Sequence, residues 1–124
     1  MRNTIKKHSD FLTAPEDPGA VTALFFVHAK AAKIPNDARY GLVAAKRIFK
    51  LAVHRNRAKR LLRDWIAYAD ANNLLAPEFD YIFIARGAIL NASRDQGRAE
   101  MAKALQHIMQ KYVIKYRKSL QKNS

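Results

Sequence analysis

Residues 52–65 read AVHRNRAKRLLRDW, and two patterns overlap in this stretch. Apolar residues recur at intervals of three and four positions, which is the rhythm of one buried face of an amphipathic helix. They are Ala58, Leu61, Leu62, Trp65, Ile66 and Ala69. Five Arg or Lys residues also fall between Arg55 and Arg63. The stretch therefore predicts a long helix with an apolar side against a core and a strongly basic side beyond it.

Runs of β-forming residues on both sides of this helix predict a sheet. They occupy residues 21–28 (VTALFFVH), 39–45 (RYGLVAA) and 79–85 (FDYIFIA). Pro35-Asn36-Asp37 predicts a turn between the first two runs. One sheet with helices packed on it, an α+β sandwich of the α/β class, is the fold that this order of elements favours.

The two ends of the chain add helices to this scheme. Residues 4–12 predict a short first helix, and Ser93-x-x-Gln96 is a possible capping box that begins a last helix. We expect residues 1–124 to form a single domain, because splitting so short a chain would leave two marginal cores. The basic tail, residues 119–124, is predicted to be disordered.

The charge of the chain points to its partner. There are 23 Lys and Arg against 10 Asp and Glu, a formal charge of +13, and the pI is about 10.4. Such an excess is most easily explained by a polyanion, and nucleic acid is favoured over an anionic membrane or an acidic protein. The absence of cysteine excludes disulfides and Cys-based zinc sites. With no apolar run typical of a signal peptide or a membrane span, a cytoplasmic location is expected.

The basic side of the predicted helix is continuous. Residues 46–63 hold eight Lys or Arg and no acid, whereas a merely solvated helix usually alternates the two signs. Arg55, Lys59 and Arg63 form one ridge, and Asn56 and Arg60 form a second ridge beside it. A surface that contacts phosphates is the favoured interpretation, and a solubilising face is the alternative. Phe25, Phe26 and Tyr40 could stack on unpaired nucleotides, or could simply pack in the core.

Several motifs together resemble a known family. Arg55-Asn56-Arg57, followed by Lys59, Arg60 and Arg63, resembles the RNR signature of the bacterial ribonuclease P protein subunit. Tyr40-Gly41-Leu42 and Ala45-Lys46-Arg47 resemble the strand and loop that lead into this signature. Lys7 with Asp10-Phe11 resembles the family's N-terminal "DF" segment, and residues 80–86 (DYIFIAR) resemble its last strand. The motifs occur in the family's order over nearly the whole chain.

The resemblance implies a protein that assists a catalytic RNA in removing the 5′ leader from precursor tRNA. It implies a mixed sheet of about four strands, the order α-β-β-β-α-β-α, and an unusual left-handed β-α-β crossover, where the general rule alone would predict a right-handed one. It places ribonuclease P RNA on Lys46, Arg47, Lys50, Arg55, Asn56, Arg57, Lys59, Arg60 and Arg63. It places the single-stranded leader in a cleft walled by Phe11, with Phe25 as a second candidate.

The residues give little support to catalysis by the polypeptide. The ten acidic residues are scattered without a D-x-D cluster, and His8, His28, His54 and His107 are far apart in sequence. We therefore expect no catalytic or metal-binding residue in this chain. The Mg²⁺ that the resemblance implies for the holoenzyme is expected on RNA oxygens. Neither membrane nor DNA is an expected partner. A ribosomal-type basic RNA-binding module without leader recognition remains the alternative function.

Overall fold

The computed structural model of the chain describes residues 3–13, 17–34 and 37–122. Within these residues a five-stranded sheet is packed against helices, which confirms the predicted α+β architecture with one strand more than expected. The strands are β1 (Asn3–Thr4), β2 (Gly19–Val21), β3 (Phe25–Ala31), β4 (Arg39–Val43) and β5 (Phe79–Ala85). The α-helices are α1 (Ala52–Ala71), α2 (Arg94–Ile108) and α3 (Ile114–Lys122), and short 3-10 helices span His8–Phe11 and Gly87–Asn91.

The sheet is mixed, with the spatial order β1-β4-β5-β3-β2. β4 is parallel to both β1 and β5, whereas β3 is antiparallel to β5 and β2. β5 lies at the centre and is buried along almost its whole length, as its run of residues, apolar except for Asp80, predicts. β4, α1 and β5 form the predicted parallel β-α-β unit, and its left hand stays a prediction of the resemblance.

Helix α1 ends at Ala71. Asn72 is its C-cap, and Asn73 adopts a positive φ of 57°. The amide of Leu74 donates to the Ala69 carbonyl at 3.0 Å, and that of Asn73 donates to Asp70 at 3.1 Å. This pair of bonds is the Schellman arrangement, and asparagine is one of the few residues that tolerate the left-handed conformation it needs.

The core lies between one face of the sheet and helices α1 and α2. Ala58, Leu62, Trp65, Ile66 and Ala69 of α1 are buried there, as their periodicity predicts. The two helices approach closely where Gly97 faces Trp65, because a Cβ on Gly97 would overlap the indole ring. The α2 start is confirmed as well, since Ser93 Oγ accepts a hydrogen bond from the Gln96 amide at 3.1 Å.

Three local predictions are corrected. The expected first helix over residues 4–12 is instead strand β1 followed by a four-residue 3-10 helix. The single strand expected over residues 21–28 is two strands, because the Thr22 hydroxyl accepts hydrogen bonds from the Leu24 and Phe25 amides and turns the chain there. Strand β4 ends at Val43 rather than at residue 45.

Two further predictions concern residues at the edge of the described regions. The predicted turn at residues 35–37 has its first two residues outside the described regions. Residues 119–122, expected in a disordered tail, continue helix α3, while residues 123 and 124 lie outside what the structure describes.

Candidate functional site

The sheet has one face toward the helices and one face that the helices leave uncovered. Pairing across β3 and β5 places Phe25 beside Ala85 and Val27 beside Phe83, all of them in the core. The residues between them point the other way, and we call this the open face. Its members on β3, β4 and β5 are Phe26, His28, Lys30, Arg39, Gly41, Val43, Asp80, Ile82 and Ile84.

The prediction that Phe25 lines a cleft is wrong. Phe25 is fully buried, and its ring makes an edge-on contact with Phe83, with ring centroids 5.9 Å apart. Its neighbour Phe26 is only half-buried and lies on the open face. The Arg86 guanidinium stands 5.0 Å from the centroid of the Phe26 ring, and Arg86 Nη1 donates to the Thr22 carbonyl at 2.8 Å.

Phe11 lies on the open face, as the resemblance to the "DF" segment implies for a cleft wall. Its ring occupies the space over Gly41, because a Cβ placed on Gly41 would come within 2.5 Å of Phe11 Cε1. Gly41 pairs with Ile82, which in turn pairs with His28. With strands about 4.8 Å apart and about 3.3 Å per residue, Phe11 and Phe26 stand roughly 12 Å from each other across the sheet.

A chain of charged side chains fastens the Phe11 segment to the sheet. Asp10 Oδ1 accepts from Lys33 Nζ at 3.1 Å, and Asp10 Oδ2 accepts from Arg39 Nη1 at 3.2 Å. Arg39 Nη2 continues to Asp80 Oδ2 at 3.2 Å, and the Arg39 backbone amide donates to Asp80 Oδ1 at 2.7 Å. Asp80 is fully buried, so its charge depends on these donors. We call these four residues, Asp10, Lys33, Arg39 and Asp80, the anchor.

Two members of the anchor, Asp10 and Arg39, have shifted pKa values. The hydrogen bond from Lys33 is the largest influence on the Asp10 carboxyl and, with that from Arg39, holds the pKa of Asp10 below its ordinary value against the opposing effect of burial. Burial acts to lower the pKa of Arg39, but hydrogen bonds to Asp10 and Asp80 outweigh it and raise that pKa. Both shifts favour the charged forms of Asp10 and Arg39.

The predicted RNA-contact residues cluster at the start of α1 and in the loop before it. Lys46, Arg47, Lys50, Asn56, Arg57, Arg60 and Arg63 are exposed, while Arg55 and Lys59 are half-buried. At 100° per residue, Arg55 and Lys59 lie next to the buried residues of α1, while Asn56, Arg60 and Arg63 lie on its exposed side. Arg57 lies apart, at the far margin of the exposed side. We call these nine residues the basic surface. The nine residues lie on the loop before α1 and along the first three turns of that helix.

Arg55 differs from the other members of the basic surface. Its Nη1 donates to the Phe49 carbonyl at 2.8 Å and to the Lys50 carbonyl at 3.2 Å. Phe49 is itself buried in the core. Arg55 therefore holds the loop against the first turn of α1, in addition to any contact that it makes outside the chain.

An open depression of about 490 Å³ lies beside the basic surface. Tyr40, Leu61, Arg60, Arg63 and Asp64 line it. Tyr40 itself is buried, so the predicted stacking of nucleotides on Tyr40 finds no exposed ring there. The depression presents two guanidinium groups beside one carboxylate.

The residues that the structure describes were compared with the requirements of a metal site and of a membrane-spanning helix. Among residues 3–13, 17–34 and 37–122, no group of three or more His, Asp or Glu side chains is placed to hold a metal ion. No helix in these same stretches combines the length and the apolar character needed to cross a membrane.

Motifs alone do not identify some residues of the candidate site. The sequence of β3 does contain a signal for Phe26, because Phe26, His28 and Lys30 alternate with Phe25, Val27 and Ala29. Such alternation assigns the more polar set to the face away from the core. For the anchor there is no comparable local signal, since Asp10, Arg39 and Asp80 are 29 to 41 residues apart in the pairs that bond.

The chain is thus an α+β sandwich whose basic helix lies beside a partly aromatic sheet face. The family model described as Ribonuclease P matches residues 1–109. The chain belongs to the Ribonuclease P protein family.

Solved structures share this fold. The RNase P protein of Staphylococcus aureus is 22% identical, with a TM-score of 0.62 over 89% of this chain and 94% of that one. The RNase P protein of Thermotoga maritima is 19% identical, with a TM-score of 0.61 over 82% and 97% of the two chains. No match was found among curated proteins. Membership in the family implies tRNA processing and an RNA partner in the ribonuclease P ribonucleoprotein.

Proposed function

We propose that this chain binds the catalytic RNA of ribonuclease P through the basic surface and holds the single-stranded 5′ leader of precursor tRNA on the open face. In this role it assists endonucleolytic removal of the leader, and the catalysis itself takes place on the RNA. The observation that carries the proposal is the basic surface: eight cationic residues without an acid between positions 46 and 63, held on the loop before α1 and the first three turns of that helix.

The electrostatics of α1 favour a phosphate partner. Its N-cap, Leu51, provides no side-chain hydrogen bond, and the first turn of the helix holds no acid. The positive end of the helix dipole is therefore not offset from within the chain, and the neighbouring Arg and Lys residues repel one another. Backbone phosphates would offset the positive end of the helix dipole and reduce the repulsion between the Arg and Lys side chains. The forked guanidinium groups also match the geometry of phosphate oxygens.

The open face suits an extended single strand. Phe26 and Phe11 provide aromatic rings for stacking on bases, and Lys30 and Arg86 add positive charge around them. Stacking of this kind tolerates different bases, which fits leaders of varied sequence. Divalent cations, Mg²⁺ above all, would act on RNA oxygens, where the protein's cations reduce the repulsion between crowded phosphates. A cytoplasmic location accompanies this proposal.

The test is reconstitution with a bacterial ribonuclease P RNA at low Mg²⁺, scoring 5′ maturation with and without the protein. We expect maturation with the protein and little without it. Comparing affinities for precursor and mature tRNA in the presence of the RNA subunit isolates the leader, which should strengthen binding. If the protein raises the affinity for precursor and mature tRNA equally, a ribosomal-type module is favoured instead. Cleavage of precursor tRNA by the protein without RNA subunit would contradict the assignment of catalysis to the RNA.

The basic surface is tested separately by the double substitution Arg60→Ala and Arg63→Ala. Both side chains are exposed, so the protein should stay folded. Affinity for the RNA subunit should fall, and the slope of log affinity against log salt should drop by roughly 2, about one for each lost phosphate contact. Unchanged affinity and slope in the folded variant would contradict the proposed function.

A further inference from the structure

The last segment of the chain carries charge that the proposed function does not use. Residues 101–124 hold six Lys or Arg and no Asp or Glu. Helix α2 passes through a π-helical turn, Met109–Val113, and continues as α3. The match to the family model ends at residue 109, so α3 lies beyond it.

Two contacts hold α3 in a defined orientation. The Tyr116 ring meets Phe79 edge-on with ring centroids 5.2 Å apart. The Arg117 guanidinium forks onto the Glu78 carboxylate, with Nε donating to Oε2 and Nη2 donating to Oε1 at 2.9 Å. Val113, just before α3, is fully buried. These contacts dock one side of the helix on the start of β5.

The lysines of α3 lie on the other side. At 100° per residue, Lys115 and Lys118 are about 60° apart, and they lie about 100° and about 160° from Tyr116. Both are exposed, as is Lys111, which precedes Lys115 by four residues. We call Lys111, Lys115 and Lys118 the C-terminal basic face. Repulsion among like charges on one helix face is unfavourable for the isolated protein, and an anionic partner would offset it.

This face and the loop before α1 are at opposite ends of β5. Helix α1 begins after β4, which runs parallel to β5, so Lys46, Arg47 and Lys50 lie near the end of β5. Arg60 and Arg63 lie farther along α1, beside Tyr40, which pairs with Tyr81 of β5. The contacts of α3 are with Glu78 and Phe79, at the beginning of β5. Strand β5 has seven residues, so these contacts are separated from the loop before α1 by roughly 20 Å.

We propose that the C-terminal basic face is a second contact with the phosphate backbone of a folded RNA. This inference rests on the proposed function, because the RNA in question is the one that the basic surface binds. The size of the RNA follows from the separation between the loop before α1 and helix α3: a structured RNA can contact both at once, while a short single strand on the open face reaches neither. The partner is thus the RNA subunit and not the leader.

The apolar residues of α3 argue for RNA rather than an anionic membrane. A helix that lies on a membrane needs one continuous exposed apolar side. Here Tyr116, the large aromatic residue of α3, is engaged by Phe79. The exposed Ile114 and Leu120 are about 120° apart around the helix, so they form no such side.

The experiment compares two double variants that each remove two positive charges. Lys115→Gln with Lys118→Gln alters the C-terminal basic face, and Arg94→Gln with Lys103→Gln is the matched control on exposed positions of α2. Binding of each to a bacterial ribonuclease P RNA, without precursor tRNA, is measured across a salt series. We expect roughly tenfold weaker binding and a slope smaller by roughly 2 for the first variant relative to the control. A short single-stranded RNA should bind both variants equally.

The result separates this inference from the proposed function. If Arg60→Ala with Arg63→Ala weakens binding while Lys115→Gln with Lys118→Gln matches the control, the C-terminal contact is wrong and the proposed function stands. If the Arg60 and Arg63 variant also leaves binding unchanged, the proposed function fails first. Binding to vesicles that contain phosphatidylserine is measured as the test for a membrane partner. Loss of vesicle binding in the lysine variant, with unchanged RNA affinity and slope, would assign the face to a membrane and overturn the proposal.

Discussion

The ring of Phe11 occupies the space that a side chain on Gly41 would need. A Cβ on Gly41 would stand only 2.5 Å from Phe11 Cε1 and 3.0 Å from its Cζ. Residue 41 is therefore small because an aromatic ring from the N-terminal segment rests on the sheet at that point. The contact between Phe11 and Gly41 therefore fixes the position of the Phe11 ring on the open face.

Gly41→Ala should displace this ring. Because a phenylalanine side chain can rotate away, we expect a stability cost of only about 1 kcal/mol. The leader-dependent gain in precursor tRNA affinity should fall about tenfold, since one stacking contact is worth 1–3 kcal/mol. Affinity for the RNA subunit should be unchanged. In a Phe11→Ala background Gly41→Ala should cost nothing further, and additive effects would show that the two residues do not act on each other.

Phe26 and Phe25 should respond in opposite ways to truncation. Phe26→Ala is expected to weaken leader binding with a small loss of stability, because its ring is half-buried on the open face. Phe25→Ala removes a fully buried ring and should cost about 3–5 kcal/mol of unfolding free energy. Urea denaturation and leader-dependent binding measure the two effects. A leader defect in a stable Phe25→Ala protein would contradict the register of β3.

Acid should loosen the Phe11 segment. The pKa of Asp10 is below its ordinary value of 3.8 in the folded protein, so the unfolded chain takes up its proton at a higher pH. The stabilisation is complete above that ordinary value and is lost as pH falls through the lower folded value. Asp10→Asn should therefore flatten the fall in stability below about pH 4. Asp64→Asn, at an exposed position of α1, is the control, and an equal flattening there would remove the special role of Asp10.

Gly97→Ala tests the contact between α1 and α2, because the sign of the change in stability depends on it. In a helix interior, replacing glycine by alanine normally stabilises by about 1 kcal/mol. Here the new Cβ would overlap the Trp65 ring between α1 and α2, so we expect destabilisation by about 2–3 kcal/mol instead. Thermal or urea unfolding checks the outcome. A stabilised variant would mean that the two helices do not meet as described.

Arg55 and Arg60 should separate structural from binding effects. Arg55→Ala removes hydrogen bonds to the Phe49 and Lys50 carbonyls and should lower stability by about 1 kcal/mol as well as RNA affinity. Arg60→Ala should lower affinity alone, because its side chain is exposed. Equal stability of the two variants would show that the loop before α1 does not depend on Arg55.

Local sequence patterns predicted the regular elements well where a single periodicity dominated. Helix α1 and strand β5 have long apolar patterns, and Ser93 marks the start of α2 by chemistry that acts within four residues. The N-terminal segment was misassigned because its few apolar residues do not distinguish a helix from a short strand. The split between β2 and β3 depends on one hydroxyl, that of Thr22, whose hydrogen bonds are not visible in a run of β-forming residues.

The sequence by itself determined the charge of the chain, the amphipathic helix with its basic side and the motifs of the family, because these depend on composition and on spacing along one element. Only the tertiary structure decided which aromatic ring meets the open face. Strand register sets that choice, and a shift of one residue exchanges Phe25 for Phe26. The anchor from Asp10 through Arg39 to Asp80 likewise exists only after folding, since it joins side chains that are distant along the chain and bond where strands pair.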